Sequence, residues 1–339
     1  MASMPLPAGN GPTATGVSVV AVTGVTGAIG QFVVQRLLAE GLHVRAAMRE
    51  TPLNIAAHPK LSQHRFDMRD PQSAGTFVDG AHALVHCAFS HIPGRYRGGE
   101  GQDAREFWQT NLGATLNLLE ACAAANLRRA VVLSTRAVFG DDHRPKVFSD
   151  QSAMTPTTHY GAMKRAEESL TRLFSRPFSN QTAGAQRVYP GFEASALRPT
   201  GVYGVLSAPE SSKWYTECQN VMNGQPLSAV RASTEVHGQD VGDAVWRLLC
   251  APQGATGGIA FNCSDLLVSS RMLGRMLNTL TGQRLALPEL AEHTPTPMQC
   301  DGLRSLGWQP GGKERLVSTL QELLDQVNKS RNPASDAKQ

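Results

Sequence analysis

The stretch AVTGVTGAIGQFVV, Ala21 to Val34, decides the fold. A β-branched apolar run, Val17 to Thr23, ends in Gly24, and two further glycines follow at three-residue spacing, Gly27 and Gly30. Beyond them Ile29, Phe32, Val33, Leu37 and Leu38 recur near helical spacing, and Gly41 ends the pattern. This reads as a buried parallel strand, a tight turn and a helix N-terminus whose free N–H groups converge on one point. A pyrophosphate suits that point, because side chains at the glycines would block its approach. The spacing is GxxGxxG rather than GxGxxG, and on its own it also suits a plain turn.

The pattern continues outward. Strands are expected at His43 to Met48, Gln63 to Phe66, Ala83 to Cys87, Ala130 to Leu133 and Ala194 to Leu197, with helices from about Pro71, over Asp103 to Ala125 and over Tyr160 to Phe174. Strands alternating with helices imply an α/β fold, a Rossmann-type doubly wound parallel sheet over residues 17–204. Ligands then bind beyond the carboxyl ends of the strands. After about residue 204 the alternation stops. Helical patterns near Ser212 to Met222, Val241 to Leu249, Ser269 to Leu280 and Glu314 to Val327 imply a smaller, mostly helical substrate-binding lobe over 205–328, with 239–262 able to return to the sheet. Residues 1–16 and 329–339 read as flexible tails, and Ser175 to Gly191 as a surface excursion.

Composition sets bounds. The chain has 339 residues, enough for one large domain or two coupled ones, and a net charge of +4 with no lysine or arginine block, so no nucleic-acid partner is expected. Six cysteines without a CxxC pair argue against a zinc site and fit a reducing cytoplasm, and no metal is expected. No apolar run approaches the roughly 20 residues of a membrane span, and the opening residues lack the features of a signal peptide.

The cofactor's ribose would lie at the end of the second strand, where a carboxylate binds a 2′-hydroxyl. VRAAMRE carries Arg49 there, which pairs with a 2′-phosphate and favours NADP; the alternative is a solvated Arg49 with Glu50 serving NAD. In YGAMK, Tyr160 and Lys164 share one helix face. A nearby ammonium favours phenolate and brings a tyrosine into working range as a proton donor and acceptor. VVLSTRAVFG supplies Ser134 and Thr135 as hydroxyl partners at the end of the fifth strand.

Taken together, TGVTGAIG, FDMRD, VHCAF, NLGATLNLLEAC, VVLSTRAVFG, YGAMK and LRPTGVYG resemble the extended short-chain dehydrogenase/reductases, the group that includes NAD(P)-dependent epimerases and dehydratases. The likeness runs from about Ser18 to Asp243 and returns in LGWQP, Leu306 to Pro310. The resemblance implies Tyr160 as acid/base, Lys164 as its tuning cation and ribose ligand, Thr135 as substrate hydrogen-bonding partner and Asn111 as the asparagine that props the site. It places Gly24, Thr26, Gly27, Ala28, Ile29 and Gly30 at the pyrophosphate and Asp67 and Met68 at the adenine. It sets Cys87, Ala88 and Phe89 along the cofactor, and Pro199 and Val202 near the nicotinamide. It also implies a homodimer built on the helices Asp103 to Ala125 and Tyr160 to Phe174.

Departures from the family narrow the chemistry. The 4,6-dehydratases carry an Asp-Glu pair after the Ser/Thr, where this chain has Arg136 and Ala137. Nucleotide-sugar epimerases carry a diphosphate-gripping arginine where this chain has Ser233, with Arg231 nearby. Ser90, Arg95, Arg97 and Arg136 remain as substrate-binding candidates, the arginines as grips for an anion; the alternative is that they pair with Glu100, Asp141 or Asp142. The expected function is an NAD(P)-dependent oxidoreductase interconverting a secondary alcohol and a ketone on a polar, acidic or sugar-derived small molecule. The rivals are a nucleotide-sugar epimerase with transiently reduced NAD and a non-catalytic NAD(P)-binding regulator.

Overall fold

The computed structural model describes residues 16–49, 57–92, 95, 98–141, 146–175, 189 and 191–331. Strand β1 (Val19–Thr23) leads through the glycine turn into helix α1 (Ala28–Ala39) and then β2 (His43–Met48) and β3 (Leu61–Arg65). Helix α2 (Pro71–Val78), β4 (Ala83–His86), α3 (Ala104–Ala124), β5 (Arg129–Leu133), α4 (His159–Ser175) and β6 (Glu193–Pro199) continue the alternation. The third strand begins two residues earlier than the sequence pattern implied. It is a half-exposed edge strand, LSQHR, held by its register against β2, Met48 opposite Arg65.

Seven strands form one wholly parallel sheet, ordered β3-β2-β1-β4-β5-β6 and then β9 (Ala260–Cys263). The order reverses between β1 and β4, so a crevice opens beyond their carboxyl ends. One sheet face buries Val33, Val34 and Leu37 of α1 with Val241, Val245 and Leu249 of α6 (Gly238–Cys250). The other buries Phe77 of α2, Leu118 and Leu119 of α3 and Phe174 of α4. The fold is therefore a Rossmann-type α/β sandwich.

The chain after residue 200 is more interwoven than a simple succession of sheet and lobe. Strand β7 (Gly201–Tyr203) pairs with β8 (Ala232–His237), which pairs in turn with β10 (Leu266–Ser269), forming a second, three-stranded sheet. Helix α6 and β9 return to the large sandwich, joined there by Leu303 of α8 (Asp301–Ser305) and by Trp308. The helical part of the lobe, α5 (Tyr215–Met222), α7 (Ser270–Thr281) and α9 (Gly312–Arg331), has its own core around Trp214, Leu273, Leu277, Leu320 and Leu323. The C-terminal helix runs to Arg331, so residues 329–331 of the expected tail are helical; the other residues of the expected tails, 1–15 and 332–339, lie outside the described residues. So do 176–188 and 190 of the expected surface excursion, whose first residue, Ser175, is still helical. Among the described residues, no helix is long and apolar enough to cross a membrane, and all six cysteines are free thiols.

Candidate active site

The glycine turn is built by contacts that only glycine allows. Gly24 has φ +68°, and a Cβ there would lie 2.5 Å from the Ala88 nitrogen, so the turn after β1 presses directly on the loop after β4. A Cβ at Gly30 would lie 2.1 Å from the Gly24 carbonyl oxygen. At Gly27 a Cβ would meet that same oxygen at 3.3 Å and nothing else within 4 Å, and Thr26, Gly27 and Ala28 are exposed. Gly27 is the N-cap of α1 and brings no side-chain cap, while α2 and α3 are capped by Asp70 and Asp103. An uncapped, exposed helix N-terminus fits a pyrophosphate, whose oxygens would satisfy the orphan N–H groups of Ala28, Ile29 and Gly30. Beneath the turn, Thr23 Oγ1 lies 2.7 Å from His86 Nδ1 and accepts from the Ala88 nitrogen at 3.1 Å, tying β1 to β4.

At the far end of the crevice, Arg49 follows β2 and is exposed. With Met48, Gln63, His64 and Arg65 it lines a pocket of about 320 Å3. Neither Arg49 nor Arg65 is ion-paired among the described residues. The Asp67 carboxylate accepts from the Arg69 backbone nitrogen at 2.9 Å and from its guanidinium at 3.0 and 3.2 Å, which holds its pKa below the usual carboxylate range. Met68, beside it, packs on the core under α2 and α3. Glu50 lies outside the described residues.

Phe89, three residues beyond β4, is the hub at the other end. Its ring meets Tyr160 edge-on at 5.0 Å between centroids, and Lys164 Nζ stands 4.8 Å from its centre. Tyr160 and Lys164 thus lie one helical turn apart on α4 against the same ring. Thr135 begins a short 3-10 turn, Arg136–Phe139, accepting from the Ala137 nitrogen at 3.2 Å. The Ala137 carbonyl lies 2.4 Å from where a Cβ on Gly161 would stand, so the absence of that carbon lets the threonine's turn approach the tyrosine's helix. Asn111 is fully buried rather than on the helix surface. Its Oδ1 accepts from the Ser90 nitrogen at 2.7 Å, and its Nδ2 donates to the Ser90 and Phe107 carbonyls. It fixes the loop that carries Phe89. Pro199 ends β6 opposite Cys263, and Val202, the second residue of β7, lies opposite Val236.

The expected substrate residues are less concentrated. Ser90 and Arg95 are exposed, and Arg97 lies outside the described residues, as does Asp142. Arg136 is turned toward the Thr296 carbonyl, to which Nη2 donates at 3.3 Å, with its guanidinium 5.5 Å from the centre of the Phe148 ring. Asp141 accepts from Thr157 Oγ1. Arg231 pairs with Glu217 at the surface, and Ser233 donates to the buried Glu235 carboxylate, which Lys213 also holds. Among the described residues, no group of three His, Cys, Asp or Glu gathers that could hold a metal ion.

The sequence reading missed several residues that build this site. Glu167 holds Lys164, and Glu168 joins Ser134 to Arg198. Arg65 shares the Arg49 pocket, and Thr23 and His86 join the two central strand ends. The stretch YGAMKRAEE shows both glutamates, but an amphipathic helix hides which carboxylate faces inward until α3 and β6 are in place.

The model of the NAD dependent epimerase/dehydratase family matches residues 20–264. The chain is 31% identical over 155 residues to UDP-glucose 4-epimerase of Streptomyces lividans, covering 44% of this chain and 45% of that protein. It is 26% identical over 259 residues to cinnamoyl-CoA reductase 2 of Medicago truncatula, covering 73% and 72%. Three of the curated relatives are matched over only 29% to 55% of their length. The solved structure of MoeE5 with UDP-glucuronic acid and NAD superposes with a TM-score of 0.72 at 24% identity, covering 91% of this chain and 99% of that one, a likeness of fold. With the family model spanning most of the Rossmann sandwich and the glycine turn, this chain belongs to the NAD-dependent epimerase/dehydratase family.

Proposed function

We propose that the protein is an NADP-dependent oxidoreductase that interconverts a secondary alcohol and a ketone on a polar small molecule, with Tyr160 as acid/base. The observation that carries this reading is the meeting of Tyr160 and Lys164 on the Phe89 ring, beside the turn that begins at Thr135. The nicotinamide, when bound, supplies the hydride chemistry. Tyr160 exchanges the proton of the substrate oxygen, and Thr135 donates a hydrogen bond to that oxygen. Lys164 stabilises the phenolate and orients the ribose. Gly24, Thr26, Gly27, Ala28, Ile29 and Gly30 hold the pyrophosphate, and Asp67, Met68, Cys87, Ala88 and Phe89 line the remainder.

The preference for NADP rests on Arg49, now joined by Arg65 on the same pocket: two guanidiniums, neither in a direct ion pair among the described residues although Arg49 is near enough to Asp67 to help hold its carboxylate ionised, suit a 2′-phosphate. Ser90, Arg95, Arg97 and Arg136 remain the substrate-side residues, and a homodimer through α3 and α4 remains the expected assembly.

A nucleotide-sugar epimerase is the second reading, favoured by the Streptomyces lividans relative. Against it stands the buried Glu235 carboxylate, which occupies both the Ser233 hydroxyl and the Lys213 ammonium and so takes up the groups that could grip a diphosphate there. Incubation with NADPH and a panel of polar ketones separates the two. Net cofactor oxidation that Tyr160→Phe abolishes supports the oxidoreductase; conversion of a UDP-sugar without net cofactor turnover supports the epimerase.

A further inference from the structure

Lys164 does not stand alone beside the tyrosine. Its side chain is 5% exposed, and Nζ donates to Glu167 Oε2 at 2.9 Å, an i,i+3 pair on α4. Glu167 is 1% exposed, and its other oxygen accepts from Thr115 Oγ1 on α3 at 3.0 Å. Thr115 Oγ1 also lies 3.1 Å from the carbonyl of Asn111, the residue that pins the Phe89 loop. A continuous polar chain therefore runs from the crevice loop through α3 to the lysine.

The other groups around this lysine leave its charge to Glu167. From the end of β4 come His86, which burial and Lys164 hold neutral with a pKa of about 3, and Cys87, whose thiol burial pushes up to about 12. From α3 come Asn111 and Thr115, both uncharged. On α4 itself Glu168 is taken up by Arg198 of β6, and the exposed His159 accepts from Trp108 Nε1. The loop after β4 contributes the ring of Phe89.

We propose that Glu167 is a positioning residue that partly neutralises the Lys164 ammonium, so that Tyr160 surrenders its proton at a higher pH than the tyrosine–lysine pair alone would set. This rests on the reading of Tyr160 and Lys164 given above. The physical reason is cancellation: a carboxylate in direct contact with an ammonium offsets its field on a phenol one helical turn away, and burial keeps solvent from screening either charge. Desolvation raises the Glu167 pKa from its ordinary value, and the Lys164 ammonium and the Thr115 hydroxyl oppose that rise by favouring the carboxylate.

The test compares Glu167→Gln and Glu167→Asp with the unmodified protein. The first keeps the shape and the Thr115 bond; the second draws the carboxylate back from Nζ. Tyr160 is titrated by tyrosinate absorbance, as the difference from Tyr160→Phe, which requires no turnover. The pH profile of kcat/KM for alcohol oxidation is recorded in parallel. The Tyr160 midpoint is expected to fall by about one unit in Glu167→Gln, a tenfold change in proton affinity, and by less in Glu167→Asp. An unchanged or raised midpoint in the folded variants overturns the proposal, and if Glu167→Gln does not fold, Glu167→Asp decides by the same criterion. If Tyr160→Phe keeps full activity, the acid/base reading fails instead, a result the tyrosinate titration keeps separate.

Discussion

Replacing Arg198 by methionine should expose how strongly the site depends on one buried pair. Arg198 of β6 meets Glu168 of α4 through two bonds, Nε to Oε1 at 2.8 Å and Nη2 to Oε2 at 2.7 Å, with side chains 3% and 4% exposed. Its guanidinium also donates to the Asp150 carbonyl at 2.9 Å and stands 5.0 Å from the centre of the Phe139 ring. Ser134, the residue before Thr135, donates to the same carboxylate. Arg198→Met leaves Glu168 buried with Ser134 as its remaining side-chain partner among these contacts, a loss of about 3–5 kcal/mol. Glu168→Leu strands the guanidinium, at a similar cost of about 3–5 kcal/mol. Summed, the single losses reach about 6–10 kcal/mol, comparable to the roughly 5–15 kcal/mol that stabilises a typical domain. The double variant removes both charges and leaves the Ser134 hydroxyl, the Asp150 carbonyl and the more distant Asn262 Oδ1 to be satisfied, at about 1–3 kcal/mol each at most. Urea denaturation of the four proteins measures the coupling. A double variant as unstable as the sum of the single ones would refute the reasoning, because it would show the two charges to be independent.

Other outcomes follow from the same contacts. Gly30→Ala forces a Cβ to within 2.1 Å of the Gly24 carbonyl oxygen and should lower the melting temperature, whereas Gly27→Ala brings a Cβ to 3.3 Å from that oxygen, a tight but smaller intrusion, and should cost less stability yet weaken NADPH binding. Thermal melts and fluorescence titration check the pair, and equal effects of both substitutions on stability contradict the looser packing at Gly27. Arg49→Ser and Arg65→Ser should each weaken NADPH more than NADH, read as the ratio of dissociation constants. Burial depresses His86 and His237 from 6.5 to about 3 in the folded protein, so their contribution is complete above pH 6.5 and is lost as pH falls toward 3. Between pH 6.5 and 5 this removes roughly 2 kcal/mol per histidine, opposed by Asp240, whose pKa burial raises to about 6; the urea midpoint should therefore fall more over that range in the unmodified protein than in His86→Asn, and equal changes in the two would contradict it.

The residues nearest in sequence were the legible ones. The glycine turn, the strand–helix alternation and the tyrosine–lysine pair each depend on neighbours within one or two turns, and periodicity and local chemistry suffice to read them. Asn111 was reachable only through resemblance, since spacing alone favours a helix-surface residue; its burial comes from Ser90, 21 positions away. Arg136 illustrates the opposite case: a guanidinium beside Thr135 in sequence is turned toward Thr296, 160 positions away.

Sequence alone therefore determined the parallel sandwich and the constellation that local spacing can assemble. Tertiary structure decided the rest: the three-residue strand β7 is too short for periodicity to reveal and exists through its pairing with β8. It likewise selected Glu167 over its neighbours as the carboxylate on Lys164, because α3 brings Thr115 to that face and β6 takes Glu168. Which of two adjacent acidic side chains meets a buried cation is a matter of what packs against the helix, and that information lies in contacts between distant parts of the chain.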